Sequence, residues 1–272
     1  SYVIYNCYSP KYDNKILDIN YWSSIIGFIG RHVPRKRPQL LIEAVVDLKL
    51  DNILVHNFGV DTDRYHNNYW YNLKNKFKHS LQISNFTSDK TKIENYWETI
   101  GCNCILGIYE PFGYTICEAL DRRMPLIVSN IDGPKEIIES VKENVTLYEV
   151  DYDYKKDKVN FKNALLKYLE LTPKEKKDRA FKARKCLDRF RPERIIIDWN
   201  ILFFKIISTA FLLVKTQVLF WFNSPLSNGI SDILISPLQD TFSFLSEFSS
   251  FNVCSDKSLR KRRCLAVLFI FC

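Results

Sequence analysis

Glu110 and Glu118 stand eight positions apart in YEPFGYTICEAL, residues 109–120, with Phe112-Gly113 between them. A carboxylate can accept paired hydrogen bonds from vicinal hydroxyls, as on a ribose or a hexose. Gly113 lets a backbone approach a ligand closely. At a helix start, the free N–H groups of Gly113, Tyr114 and Thr115 suit a phosphate or a sugar oxygen. A local role competes for one of the two glutamates. Thr115-Ile-Cys-Glu118 has the Ser/Thr-x-x-Glu spacing of a capping box, in which each side chain satisfies a backbone N–H. From spacing alone, the cap and the ligand explain Glu118 equally well. Glu110 gains nothing for folding from a loop ahead of Phe112-Gly113, so a ligand explains it better.

A second constellation is GRHVPRKRP, residues 30–38. Arg31 follows Gly30 directly, Lys36 lies five residues on, and Arg35 and Arg37 add charge. Guanidinium and ammonium groups beside a strand end neutralise a diphosphate. The competing reading is a solvated basic loop. The chain has neither G-x-G-x-x-G nor G-x-x-x-x-G-K-[ST], so neither the dinucleotide fingerprint nor the P-loop is present. Residues 30–38 contain no Phe, Tyr or Trp, which argues against nucleic acid as a partner.

Both constellations need strand ends to hold them. IIGFIG (25–30), NILVHNFG (52–59), HSLQIS (79–84), CNCILGI (102–108), PLIVSN (125–130) and NVTLYEV (144–150) read as strands. Between them, Pro38 starts an apolar helical face through Leu40, Leu41, Ala44, Val45 and Leu48. Ser88 opens a helix closed by Gly101; another starts near Thr115, and one follows from GPKEIIES. Three helical stretches, roughly 157–171, 173–189 and 192–207, close the unit. This alternation predicts an α/β fold, a mostly parallel sheet with helices on both faces. Ligands of such sheets bind at the carboxyl ends of the strands, where both constellations lie.

Residues 1–22 read as a linker, with Pro10, Asp13 and Asn14 breaking any period. The folded domain spans 23–207, and 208–272 is an apolar, serine-rich tail. Within 201–222 only Lys205 and Lys215 are charged, so the stretch approaches the length of a membrane span; a packed or disordered tail is the favoured reading. LRKRRC, 259–264, suits anionic lipid, although a solvated charge run is the commoner fate. The net charge of +8 suits an anionic ligand without demanding nucleic acid. Eight cysteines form no CxxC pairs, which points to buried small residues and a reducing, cytoplasmic setting, with a peripheral membrane contact left open. SYVIYNCYSP lacks the features of a signal peptide, and a start without Met points to a fragment or a processed chain. DYDY, 151–154, reads as a turn, so no metal site is expected.

EPFGYTICEAL followed by PLIVSNIDGPKEII resembles the signature of retaining glycosyltransferases of the GT-B fold, in particular glycosyltransferase family 4. Glu110 and Glu118 fit the family's E-x7-E motif; Gly30, Arg31 and Lys36 fit its G-R-x-x-x-x-K element; Gly133 to Ile138 fit its G-P-x-E-I-I helix start. VIYNCYSP resembles the preceding linker, with Cys7 in place of a glycine, and FRPERIIIDWNILFFKI resembles the closing helix. The likeness covers about residues 1–207. It implies a Rossmann-like sheet that is the C-terminal half of a GT-B fold. It also implies transfer of a hexose from a UDP- or GDP-linked donor to a glycan or lipid-linked acceptor, with no metal and no further cofactor. Arg31, Lys36 and Glu110 would act on the diphosphate and the hexose. Gly30, Phe112, Gly113, Tyr114 and Thr115 would line the donor, and Glu118 would hold the ribose diol. Asp121, Arg122, Arg123 and Met124 depart from the family's small residues before Pro125, and Glu143-Asn144-Val145 weakens its usual N-G pair. The family's N-terminal acceptor domain has no counterpart in these residues, so an incomplete nucleotide-sugar-binding module is the alternative expectation.

Overall fold

The computed structural model describes residues 3–60, 67–77 and 79–222. Strand and helix alternate through β1 (Ile25–Ile29), α1 (Gln39–Asp47), β2 (Leu54–Val60), α2 (Asn67–Lys76), β3 (Leu81–Asn85), α3 (Lys90–Thr99) and β4 (Cys102–Ile105). The alternation continues through α4 (Tyr114–Asp121), β5 (Leu126–Ser129), α5 (Asp132–Ile138) and β6 (Thr146–Tyr148). α6 (Tyr154–Leu169), α7 (Pro173–Ala183) and α8 (Pro192–Phe222) follow. The six strands form one sheet in the order β3-β2-β1-β4-β5-β6. Every pairing is parallel. This is the Rossmann-like architecture expected of the sequence.

The pleat sends alternate residues to two apolar layers. On one face Ile26 and Phe28 of β1 meet Leu40, Leu41 and Val45 of α1 and Phe161 and Leu165 of α6. On the other, Phe58 and Val128 meet Tyr96 and Trp97 of α3, Ile116 and Leu120 of α4, and Phe190. Strand order reverses between β1 and β4, so the loops leaving them diverge and open a crevice at the carboxyl edge.

Several boundaries differ from the sequence reading for local reasons. α2 was not anticipated, because NNYWYNLKNK is rich in asparagine, a weak helix former. α3 is capped by Asp89, whose side chain accepts from the Thr91 N–H at 2.9 Å, rather than opened by Ser88. α6 starts three residues early because Asp153, inside DYDY, caps it and accepts from the Lys155 N–H. The stretch 173–189 is an α-helix only to Ala183 and then tightens to a 3-10 helix over Arg184–Phe190. The closing helix runs on to Phe222 instead of ending near 207.

The chain divides into two packing units, the first ending at Phe203 and the second starting at Phe204. The first carries the sheet; of the second the structure describes 204–222, the remainder of α8. No helix among the described residues is long and apolar enough to cross a membrane. The basic run 259–264 lies outside the described residues. Cys102, Cys104, Cys117 and Cys186 are buried thiols, whereas Cys7 is exposed.

Candidate functional site

The loop after β1 is a short 3-10 turn over Pro34–Lys36, ended by Arg37 in the left-handed region. It is stitched to the loop after β4: the Ile108 N–H donates to Arg35 O at 2.9 Å, and the Arg35 guanidinium donates to Tyr109 O at 3.0 Å. The consequence is a direct contact between Lys36 Nζ and the Glu110 carboxylate, both half-buried. The first and second constellations therefore meet across the strand-order reversal. Burial, helped by the like charges of Arg35 and Arg31, brings the Lys36 ammonium down to about 8. Its ion pair with Glu110 opposes that shift. Gly30 closes β1, and Arg31 is exposed at its end.

Two of the four basic residues of this loop do not simply add charge, as the sequence reading had it. Arg37 is buried and pairs with Asp157, a fully buried carboxylate. It also donates to Asp151 O at 2.9 Å, which fixes the β1 loop to the start of α6. Arg35 is tied to Tyr109 O. Arg31 and Lys36 remain as the cations whose placement a ligand could use.

The second glutamate lies inside the expected helix, but of its two readings the cap does not form. Gly113, at φ 96°, is the N-cap of α4, and no side chain caps that helix. Glu118 is the fifth helical residue, so the Thr115–Glu118 capping box does not form. The cap is backbone geometry instead: Gly113 takes a left-handed conformation that L side chains rarely adopt. The Ile116 N–H turns back to Gly113 O at 2.9 Å, while those of Tyr114 and Thr115 precede the first full helical bond. Phe112 is a buried core side chain packed edge-on against Phe190 at 5.4 Å, so only its backbone is available to the crevice. Tyr114 is 50% exposed beside it. Burial pushes the Glu118 carboxyl above the ordinary range, while Arg122 and Lys11 pull it back.

Two further groups support the glutamates. The Gly133 N–H donates to Glu110 O at 3.1 Å, and a Cβ at Gly133 would sit 2.5 Å from Pro111 O. The loop after β5 thus clamps the Glu110–Pro111 backbone from behind, which the G-P-x-E-I-I likeness marked only as a helix start. The other group is the triad Asp121-Arg122-Arg123, noted above as a departure. Asp121 is fully buried and accepts from the Lys11 N–H at 2.6 Å, from Arg184 at 2.8 Å and from the Tyr8 hydroxyl at 3.3 Å. Arg122 donates to Glu94 at 2.6 Å and lies against the rings of Tyr12 and Trp97, at 5.1 and 4.9 Å. Arg123 donates to Lys15 O at 3.0 Å and to Tyr12 O at 3.2 Å. Residues 8–15 are therefore a strap bound to the end of the helix that carries Glu118. The sequence marked the triad only as a departure; neither its burial nor its partners in residues 8–15, more than 100 residues away, were legible.

Comparison with known proteins follows the same lines. The profile of the family described as "Glycosyl transferases group 1" matches residues 13–184. No curated protein matches. TarM of S. aureus, crystallised as a mutant with fondaparinux, alpha-GlcNAc-glycerol and UDP, is 21% identical with a TM-score of 0.57. The match covers 74% of this chain and 39% of that one. Sucrose-phosphate synthase of Thermosynechococcus elongatus is 18% identical with a TM-score of 0.56, over 70% of this chain and 47% of that one. The C-terminal domain of a glycosyl transferase group 1 family protein from Francisella tularensis is 19% identical with a TM-score of 0.51. Here the match covers 62% of this chain and 86% of that domain. The chain thus spans under half the length of TarM and of the synthase, and these likenesses show the fold, that of the GT-B transferases.

Proposed function

The chain belongs to the glycosyl transferases of group 1, and from that premise we propose that residues 23–207 are the donor-binding half of a retaining hexosyltransferase of glycosyltransferase family 4. The carrying observation is the Lys36–Glu110 contact across the crevice. A cation and a carboxylate that meet across the crevice are complementary to two ends of one ligand. The diphosphate of a nucleotide sugar takes Lys36 and the exposed Arg31, and the hydroxyls of its hexose take Glu110. The N–H groups of Gly113, Tyr114 and Thr115, at the positive end of α4, face a phosphate or sugar oxygen. Glu118, which does not cap its helix, accepts from the ribose diol.

In this reading the bond between the anomeric carbon and the diphosphate oxygen breaks. The charge that develops on the leaving diphosphate is stabilised by Arg31 and Lys36. The acceptor hydroxyl forms the new bond on the same face of the sugar, its proton leaving with the diphosphate. The donor is UDP- or GDP-linked, and the acceptor is a glycan or a lipid-linked sugar at the cytoplasmic side of a membrane. No metal and no further cofactor takes part. UDP bound to TarM, a chain of the same fold, supports a nucleotide-sugar donor.

The span of the chain, 39% of TarM, favours a narrower second reading, a module that binds donor and turns over only with an N-terminal acceptor domain. Calorimetry of the full chain with UDP, GDP, ADP and their sugar conjugates tests the common premise. Binding of one nucleotide, lost in Arg31→Ala and Glu118→Ala, is expected. A folded chain that binds none of them overturns both readings.

A further inference from the structure

Arg122 stands at the C-terminal end of α4, one helical turn beyond Glu118, and is one of the departures from the family's small residues. Its guanidinium belongs to a residue only 3% exposed. A buried charge needs partners on every side, and Arg122 draws them from three elements. Nη1 donates to Glu118 O at 3.0 Å, and Nη2 donates to the carboxylate of Glu94 on α3 at 2.6 Å. The Tyr12 ring of the strap lies 5.1 Å away and the Trp97 ring of α3 4.9 Å away, so aromatic faces cover the cation. Glu94 also accepts from the Tyr12 hydroxyl at 3.1 Å. The planar guanidinium is thereby held in one place between α3, α4 and the strap.

Such a knot would serve as a structural tie, but its charge also bears on Glu118. Burial raises the Glu118 carboxyl; Arg122 and then Lys11 lower it, and Glu94 raises it. Tyr8 and Cys117 complete the titratable surroundings of this carboxyl, and burial keeps both of them protonated and neutral. The two cations are not equivalent. Lys11 is exposed, so water and salt screen its ammonium. Arg122 is buried, is screened less, and keeps its proton at every ordinary pH. It is the fixed positive charge beside a half-buried carboxylate that must be ionised to accept from two hydroxyls.

We propose that Arg122 is a positioning residue for nucleotide binding: clamped between Tyr12 and Trp97 and tied to Glu94, it fixes a positive charge beside Glu118, so that the carboxylate is ionised when it accepts from the ribose diol. Arg122 acts through Glu118 and touches no substrate itself. Glu94 works in two directions, holding the guanidinium in place and offsetting part of its charge. The inference rests on the donor assignment and names what readies its ribose contact.

The test compares the full chain with its Arg122→Met, Arg122→Lys and Glu94→Gln variants, circular dichroism checking the fold of each. The Glu118 carboxyl is titrated by carbon NMR on carboxyl-labelled glutamate, its signal assigned with Glu118→Gln. Affinity for UDP, GDP and ADP is measured by calorimetry from about pH 4 to 8. Arg122→Met removes an opposite charge, so Glu118 should hold its proton to higher pH. The acid limb of nucleotide binding should move up with it, by about 0.5–1 pH unit. Glu94→Gln removes a like charge and should move both downward. Arg122→Lys, which keeps the charge but not the planar fork, should fall between wild type and Arg122→Met. A tie that is only structural would weaken binding in both families of variant without these opposite shifts. The proposal is overturned if the Glu118 titration stays put in Arg122→Met, or if Glu94→Gln moves it the same way. Where Arg122→Met does not fold, Arg122→Lys and Glu94→Gln carry the same comparison. Wild type that binds a nucleotide with an acid limb indifferent to these substitutions overturns the proposal alone. Wild type that binds none of the three overturns the donor assignment and the proposal with it, even where the Glu118 titration shifts as expected.

Discussion

At the residue scale, the Lys36–Glu110 contact concentrates the chemistry of two loops into one pair, and its titration gives a signature. With its pKa near 8, Lys36 is charged below that pH and loses its proton as the pH rises through it. Nucleoside diphosphate affinity should therefore fall between about pH 7 and 9, the window in which Lys36 loses its proton. Lys36→Arg, which stays protonated throughout, should flatten the profile. An affinity indifferent to pH in wild type would show that the ammonium does not meet the diphosphate. Glu118 gives the opposite limb. Its carboxyl is raised by burial, so it takes up a proton at a higher pH than an ordinary glutamate. Binding through its carboxylate should be lost on acidification earlier than a normal glutamate would allow, and Glu118→Gln should already show that loss at neutral pH. For stability the sign is reversed: the folded state takes up the proton first, so acidification through that range relieves the cost of burying the charge.

At the scale of elements, α4 shows how a backbone device can replace a side-chain one. If Thr115 and Glu118 formed a capping box, Thr115→Ala would cost about 1 kcal/mol. With Gly113 as the cap, the same substitution should change stability by less than about 0.5 kcal/mol in chemical denaturation. Gly113→Ala should cost about 1–2 kcal/mol for the left-handed backbone alone. It should cost more in practice, because its Cβ would lie 2.9 Å from Ile116 Cδ1. Gly133→Ala should be worse again, since the clash is with backbone atoms of Pro111 that cannot turn aside. The six strands were legible because each is a short apolar run or, as in HSLQIS, a short alternation of apolar and polar residues. α2 was not, since its asparagines mask the helix. The sequence placed Glu110 and the basic loop at the same edge of the sheet, and there Lys36 meets Glu110. It could not tell that Arg37 turns inward, because Asp157 lies 120 residues away and nothing in GRHVPRKRP distinguishes a buried arginine from a solvated one. The two readings of Glu118 were equally good in sequence because a cap depends on φ at Gly113, which the residue types permit but do not dictate.

At the scale of the whole molecule, residues 8–15 behave as part of the folded unit instead of a free connector, and Asp121 is the point on which this rests. Its carboxylate, with no exposure, holds the backbone of Lys11, the hydroxyl of Tyr8 and the guanidinium of Arg184 at once. Arg184 in turn reaches Asp13 at 2.6 Å, and Arg191 grips Asp13 at 2.7 Å, so the strap is pinned from both sides. The exposed outer pairs contribute little on their own. Removing the inner carboxylate is different, because it leaves the Lys11 N–H and the Tyr8 hydroxyl without their acceptor and leaves Arg184 with Asp13 alone. Asp121→Ala should therefore cost about 2–4 kcal/mol, the sum expected for a few donors left unpaired. For a domain of this kind that is a large part of a total of about 5–15 kcal/mol. Trypsin should then cut at Lys11 and Lys15, which the bound strap protects. Asp121→Asn, which keeps the shape and the acceptor oxygen, should lose less and stay protected longer. Lys11 and Tyr8 also lie in the electrostatic surroundings of Glu118, so release of the strap should move the acid limb of nucleotide binding toward that of a glutamate without them. Two results separate the roles of the strap. Cleavage at Lys11 with an unchanged melting point would show a strap that opens independently of the domain, and an unchanged melting point with full protection would show that Asp121 does not hold it.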